Sequence, residues 1–183
     1  GMDDFKGETY HTGDWPHEGV DFAGKRVAVI GTGSSGIQSI PVIAEEAKTV
    51  TVFQRTATFT VPAANRPVTE NERMATKRSY KQLRVQLRRS HIGALLEPPI
   101  GRFGEVDIRL VRGELERRWR GTGMSATMVL SDNLTSIEAN NYTSQFVRDK
   151  INEIVDDPAV AKLLEPHDYP IGTKRLALDT NYY

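Results

Sequence analysis

One short segment constrains this chain more than any other. Arg26-Val27-Ala28-Val29-Ile30, a run rich in β-branched residues, leads without a break into Gly31-Thr32-Gly33-Ser34-Ser35-Gly36. Apolar residues then recur at helical spacing (Ile37, Ile40, Ile43, Ala44, Ala47), and a second β-branched run, Thr49-Val50-Thr51-Val52-Phe53, closes the unit. Strand, glycine turn, helix and strand in that order predict a βαβ crossover between parallel strands. The first run reads as a strand buried on both faces. Pro41 falls near the start of a helix predicted from Ile37 to Lys48, where a missing N–H costs least.

The glycine spacing assigns a chemistry to the turn. Gly31 permits the tight bend, Gly33 lets backbone approach a pyrophosphate, and Gly36 allows the helix to pack closely on the strand. The helix N-terminus adds free N–H groups and a partial positive charge. A dinucleotide is therefore the expected ligand. The end of the second strand refines this. Folds of this kind that take NAD usually carry Asp or Glu there, to hold the ribose hydroxyls. This chain carries Gln54-Arg55-Thr56. A guanidinium can take a 2′-phosphate through two charge-assisted hydrogen bonds, each worth ~1.5–3 kcal/mol. Arg55 and Thr56 thus point to NADPH rather than NADH.

The rest of the chain surrounds this unit with helices. Residues 3–24 read as a loop or linker and residues 56–69 as loop. Residues 70–97 read as a long helix stopped by Pro98-Pro99. Further helices are expected over 105–120 (broken by Gly121-Thr122-Gly123), from Thr143 to Val155, and from Ala159 to Leu164 behind Asp157-Pro158. A strand-like run from Arg175 to Leu178 returns to the sheet. The expected architecture is α/β: a partial, three-layer Rossmann-like domain with a parallel sheet, formed by 25–66 and 167–183, preceded by a linker (1–24) and interrupted by a mostly helical insert (67–166). About three strands are visible, where a complete doubly wound domain needs about five or six.

Composition excludes several classes. The 183 residues carry 24 Lys+Arg against 24 Asp+Glu, which argues against a general polyanion binder. No cysteine is present, so disulfides, thiolate metal sites and cysteine nucleophiles are all excluded. The same fact is compatible with a reducing cytoplasm, the expected location. No apolar run reaches the ~18 residues of a membrane span. The acidic start, Asp3-Asp4, does not resemble a signal peptide. Gly1-Met2 reads as a tag remnant, and the abrupt end at Asn181-Tyr182-Tyr183 leads us to expect a piece cut from a longer protein.

Family resemblance is carried by five separated stretches. Phe5-x-Gly7-x-x-x-His11-x-x-x-Trp15-Pro16 matches the fingerprint of flavin-dependent Baeyer–Villiger monooxygenases at every fixed position. Gly31 to Gln38, Val52 to Thr56, Phe146-Val147-Arg148-Asp149-Lys150-Ile151, and Gly172-Thr173-Lys174-Arg175 with Asp179 and Tyr182-Tyr183 extend the likeness, more loosely between about 66 and 140. The resemblance implies an enzyme in which NADPH reduces FAD, and one oxygen of O2 is inserted into a ketone to give an ester or lactone. It implies that Thr32, Gly33, Ser34, Ser35, Gly36, Ile37 and Gln38 bind the NADPH pyrophosphate, and that Lys174 joins Arg55 and Thr56 at the 2′-phosphate. It also implies that Arg175 binds coenzyme and is the catalytic arginine, a permanent charge suited to developing oxyanions. His11 is implied to orient the linker between flavin and coenzyme domains. FAD itself would be bound mainly by a domain absent here, since only one glycine fingerprint is present. The segment alone is therefore expected to be inactive.

Other constellations carry less. His11, His17, His91 and His167 are too scattered for a metal site, and none is expected. His167 beside Asp168 reads as a loop pair. The basic helix bearing Arg73, Lys77, Arg78, Lys81, Arg84, Arg88 and Arg89 reads as a solvated face, or one turned toward a missing domain, rather than a nucleic-acid or membrane surface. Trp119 with Leu115 and Leu110 reads as an apolar anchor. Two alternatives remain: the coenzyme segment of a flavin N- or S-oxygenating monooxygenase, against which Trp15-Pro16 and Lys174-Arg175 count, and a free-standing NADPH-binding module without chemistry. Missing strands would leave apolar edges open, so self-association is expected.

Overall fold

β1 (Arg26–Ile30) and β2 (Thr49–Phe53) pair in parallel, with Arg26 opposite Thr49 and Ile30 opposite Phe53. Between them runs α1 (Ser34–Glu46), whose Ile37, Ile40 and Ile43 are buried. This is the predicted crossover, in a computed structural model that describes residues 1, 4–90, 93–121 and 123–183. Two details differ from expectation. The helix starts at Ser34, directly on the glycine turn, so Pro41 lies in its middle and cannot donate to the Ile37 carbonyl. β1 is not buried on both faces: Val27 and Val29 are half-buried, whereas Ile30 is 87% exposed. One face of the β1–β2 pair meets α1, and Ile30 and Phe53 at its end stand open to solvent.

The chain then makes a strand that sequence patterning missed. β3 (Thr60–Pro62) lies inside the stretch read as loop. Three residues are too few to show a period, and Pro62 argues against a strand interior. β3 pairs in parallel with β4 (Ala177–Asp179), so the returning run does not extend the β1–β2 pair. The sheet is thus present as two two-stranded pieces among the described residues. α1 touches β1, β2 and β4, which makes it the layer common to both pieces.

Helices fill the interval between β3 and β4. α2 (Glu70–Arg89) begins in a capping box, in which Thr69 accepts from the Glu72 N–H and Glu72 accepts from the Thr69 N–H. It ends at Ser90 rather than near 97 and buries no residue, as its scattered apolar positions suggest. His91 lies outside the described residues, as does Thr122 in the predicted helix break. α3 (Ile108–Arg120) is capped by Asp107 and stops at Gly121. α4 (Gly123–Ala126) crosses β3 so closely that a Cβ on Gly123 would come within 2.5 Å of Pro62. α5 (Ile137–Ile154) starts six residues before the predicted position, because Ser136 caps it by accepting from Ala139 N–H. Asn140 and Asn141 are weak helix formers and masked that start. α6 (Pro158–Leu164) begins behind Asp157 as expected.

The main core lies within this helical part. Val111, Leu115 and Trp119 of α3 meet Phe146, Val147 and Ile151 of α5 around Phe59 and Val61. Trp119 sets its edge on Phe146, with centroids 5.7 Å apart. Leu110, expected to join them, is instead exposed on the outer side of α3. Arg118 is only 2% exposed. It donates to the carbonyls of Glu97, Pro98 and Ser125 and pairs with Glu114 at 2.7 Å. A buried charge with this many partners acts as a rivet, tying the loop before α3 to α4.

Candidate coenzyme site

Each glycine of the turn has a local reason. Gly31 sits at φ 96°, a conformation that costs other residues strain, and its N–H donates to the Phe53 carbonyl. At Gly36 a Cβ would lie 2.3 Å from the Gly31 carbonyl oxygen, so only glycine lets α1 rise this close to β1. At Gly33 a Cβ would meet nothing within 4 Å. That open space lies in front of the first turn of α1, where no side chain caps the helix. The N–H groups of Ser34, Ser35 and Gly36 are therefore left for a ligand. Ser34, Ser35 and Gln38 are exposed, whereas Thr32 and Ile37 are buried and serve as supports.

Contacts link this turn to the end of β2. The Thr32 hydroxyl donates to the Thr56 carbonyl at 3.4 Å. Gln54 is held from the other side, its amide donating to the Leu163 carbonyl at the end of α6 at 2.6 Å. Between these two anchored positions the Arg55 side chain projects into solvent. Sequence reasoning gave Gln54 no role; its partner lies more than a hundred residues away, and no local pattern announces it.

Lys174 and Arg175 lie just before β4, and both are exposed. The segment carrying them is gripped by buried Asn140 of α5. The Asn140 amide donates to the Ile171 carbonyl at 2.9 Å and accepts from the Ile171 N–H at 3.1 Å, the pattern of a paired strand. Gly172 then turns at φ 90°. Tyr169, three residues before, accepts from Phe59 N–H and donates to the Ala57 carbonyl. Tyr169 therefore holds the stretch leading to Lys174 and Arg175 against the residues that follow Arg55 and Thr56, while Asn140 ties it to α5. Hydrogen bonds thus tie the glycine turn to Thr56, and Tyr169 to Ala57 and Phe59 just beyond it.

The N-terminal fingerprint folds beside the same turn. The Phe5 ring covers Gly7, where a Cβ would come within 2.7 Å of it. The His11 Nδ1 accepts from the Gly13 N–H at 3.1 Å, closing a tight turn and leaving the proton on Nε2. Trp15 packs at a tilt against both Tyr10 and Phe22, and Lys25 pairs with Glu8 at 2.7 Å. Thr12 and Trp15 share a shallow groove of ≈ 280 Å³ with Ser35, Gln38 and Ser39 of α1. His167 pairs with Glu165 at 2.8 Å rather than with Asp168.

A strand–glycine turn–helix with an exposed arginine at the second strand's end is the arrangement of Rossmann-like α/β folds. A family model described as flavin-binding monooxygenase-like matches residues 1–158. Cyclohexanone 1,2-monooxygenase of Acinetobacter sp is 38% identical over the whole chain, which spans 34% of that enzyme. A phenazine N-monooxygenase of Lysobacter antibioticus is 37% identical, again with the whole chain covered and 34% of the relative. A solved structure of oxidized steroid monooxygenase bound to NADP is 46% identical, with a TM-score of 0.93 over the whole chain and 35% of that protein. This chain belongs to the flavin-binding monooxygenase-like family, and within it resembles the Baeyer–Villiger enzymes. It spans about a third of the length of the relatives it matches.

Proposed function

We propose that this chain is the NADPH-binding segment of a longer, FAD-dependent Baeyer–Villiger monooxygenase, which inserts one oxygen of O2 into a ketone to give an ester or lactone. The observation that carries the reading is the open first turn of α1 together with the exposed Arg55. One element offers N–H donors to a pyrophosphate, and the other offers a guanidinium to a 2′-phosphate. Thr32, Gly33, Ser34, Ser35, Gly36, Ile37 and Gln38 hold the pyrophosphate, the buried members by shaping the turn and the exposed ones by donating to it. Arg55, Thr56 and Lys174 hold the 2′-phosphate. The residues present fit the coenzyme, since a side chain at Gly33 would occupy the space its phosphates need.

Bound FAD supplies the redox chemistry with oxygen, and its site belongs to the remainder of the longer protein. Arg175 acts in that reaction as a fixed positive charge beside the reacting oxygen atoms. We divide the chain into a linker (1–24), a Rossmann-like part (25–66 and 167–183) and a helical insert (67–166), and place the enzyme in the cytoplasm. Alone, the segment does not turn over ketone.

The NADP-bound steroid monooxygenase supports the coenzyme, and Trp15-Pro16 with Lys174-Arg175 supports ketone over nitrogen as the oxygen acceptor. The test is oxygen-isotope labelling in the full-length enzyme. Labelled O2 must appear in an ester or lactone made from a cyclic ketone, with one NADPH consumed per product. A product oxygenated at nitrogen, with no ester from any ketone tried, would place the enzyme with the N-oxygenating relatives instead.

A further inference from the structure

Lys174 has a partner that the coenzyme assignment does not use. Its ammonium lies 4.0 Å from the centroid of the Tyr169 ring. That distance is well inside the range of cation–π attraction. The ring is held on its other sides. Phe59 presents to it edge-on at 5.5 Å and 88°, and the phenol oxygen is bonded to both Ala57 and Phe59 backbone, at 3.3 and 3.2 Å. Ala57 directly follows Thr56. One half-buried tyrosine thus spans from the β2 end to the lysine ammonium, and is fixed at the β2 side.

We propose that Tyr169 is a positioning residue for coenzyme specificity. It seats the Lys174 ammonium on its ring face, so that Lys174, Arg55 and Thr56 converge on one anionic group, the phosphate that distinguishes NADPH from NADH. This rests on the reading of Lys174 as a 2′-phosphate ligand. A free lysine side chain would have several rotatable bonds to freeze on binding. Resting on the ring limits that freedom before coenzyme arrives, and an exposed phosphate remains the stronger partner when it does.

The test compares two side chains of the same shape at position 169 in the full-length FAD-loaded enzyme. Tyr169→Phe keeps the ring and loses the hydroxyl, whereas a ring-trifluorinated phenylalanine also loses the negative ring face. The readout is the ratio of kcat/KM for NADPH to that for NADH. From Phe to its trifluorinated form the ratio should fall about three- to tenfold, with kcat/KM for NADH unchanged, and the difference should vanish in a Lys174→Ala background. An equal ratio for the two side chains, or a difference that persists without Lys174, overturns the role of Tyr169. A Lys174→Ala variant that keeps the full wild-type ratio overturns instead the assignment of Lys174 on which the proposal stands.

Discussion

Gly36 shows how much function can depend on one missing atom. Its Cβ would collide with a backbone carbonyl, which cannot swing aside as a flexible side chain could. Gly36→Ala should cost about 1–3 kcal/mol of stability and should weaken coenzyme binding, because relief of the clash moves α1 away from the turn. Thermal unfolding and a coenzyme titration on the same variant check both effects. Asp179 makes a second residue-scale prediction. Burial raises its carboxyl above the usual aspartate range, against the pull of the Tyr182 and Tyr183 backbone N–H groups. With the folded value above the unfolded one, this group favours the fold while protonated, and that contribution is lost as pH rises through the folded value. Asp179→Asn can still accept from the Tyr182 N–H. The variant should melt close to wild type below about pH 4, and its advantage should grow as pH rises. A difference that is flat with pH would contradict the assignment. The glycines were legible in the sequence because their constraint is local. Gln54, Asn140 and Tyr169 were not, because each acts on a partner brought near only by the fold.

Elements divide along the same line. The crossover α1 was legible from periodicity, and α6 from Asp157-Pro158, which supplies both cap and first helical residue. β3 was not legible, because its place is set by pairing with β4 and by the close passage of Gly123, not by any pattern within three residues. β1 contradicts the simple equation of β-branched runs with double-sided burial: α1 covers one face, and Ile30 at the strand's end stays open. α3 illustrates how a helix can be fixed by charge inside its core face. Arg117 and Arg118 hold Glu114 down at a pKa of about 2, with Arg117 the larger influence. Its folded value lies below the unfolded one, so its contribution is present at neutral pH and is lost as pH falls from the usual carboxylate range toward that value. Glu114→Gln leaves the buried Arg118 without its counter-charge and should cost about 3 kcal/mol at neutral pH. The loss should shrink in acid, as measured by denaturant unfolding across that range.

At the scale of the whole molecule, the chain has one well-filled core among its helices and a β1–α1–β2 unit whose strand ends stand open. The exposed Ile30 and Phe53 and the short sheet pieces leave pairing capacity unused. In isolation the chain should therefore form dimers or larger species in light scattering at micromolar concentration, through its open strand edges; a monomer throughout would refute this. The central claim, that this chain reads the 2′-phosphate of NADPH, is tested most directly by titrating the full-length protein with NADPH and NADH side by side at equal salt, with and without Arg55→Ala. Tighter binding of NADPH by about tenfold or more, largely abolished by Arg55→Ala with NADH affinity unchanged, is the predicted result. Equal affinity for the two coenzymes, or a preference for NADPH that survives the loss of Arg55, would contradict it.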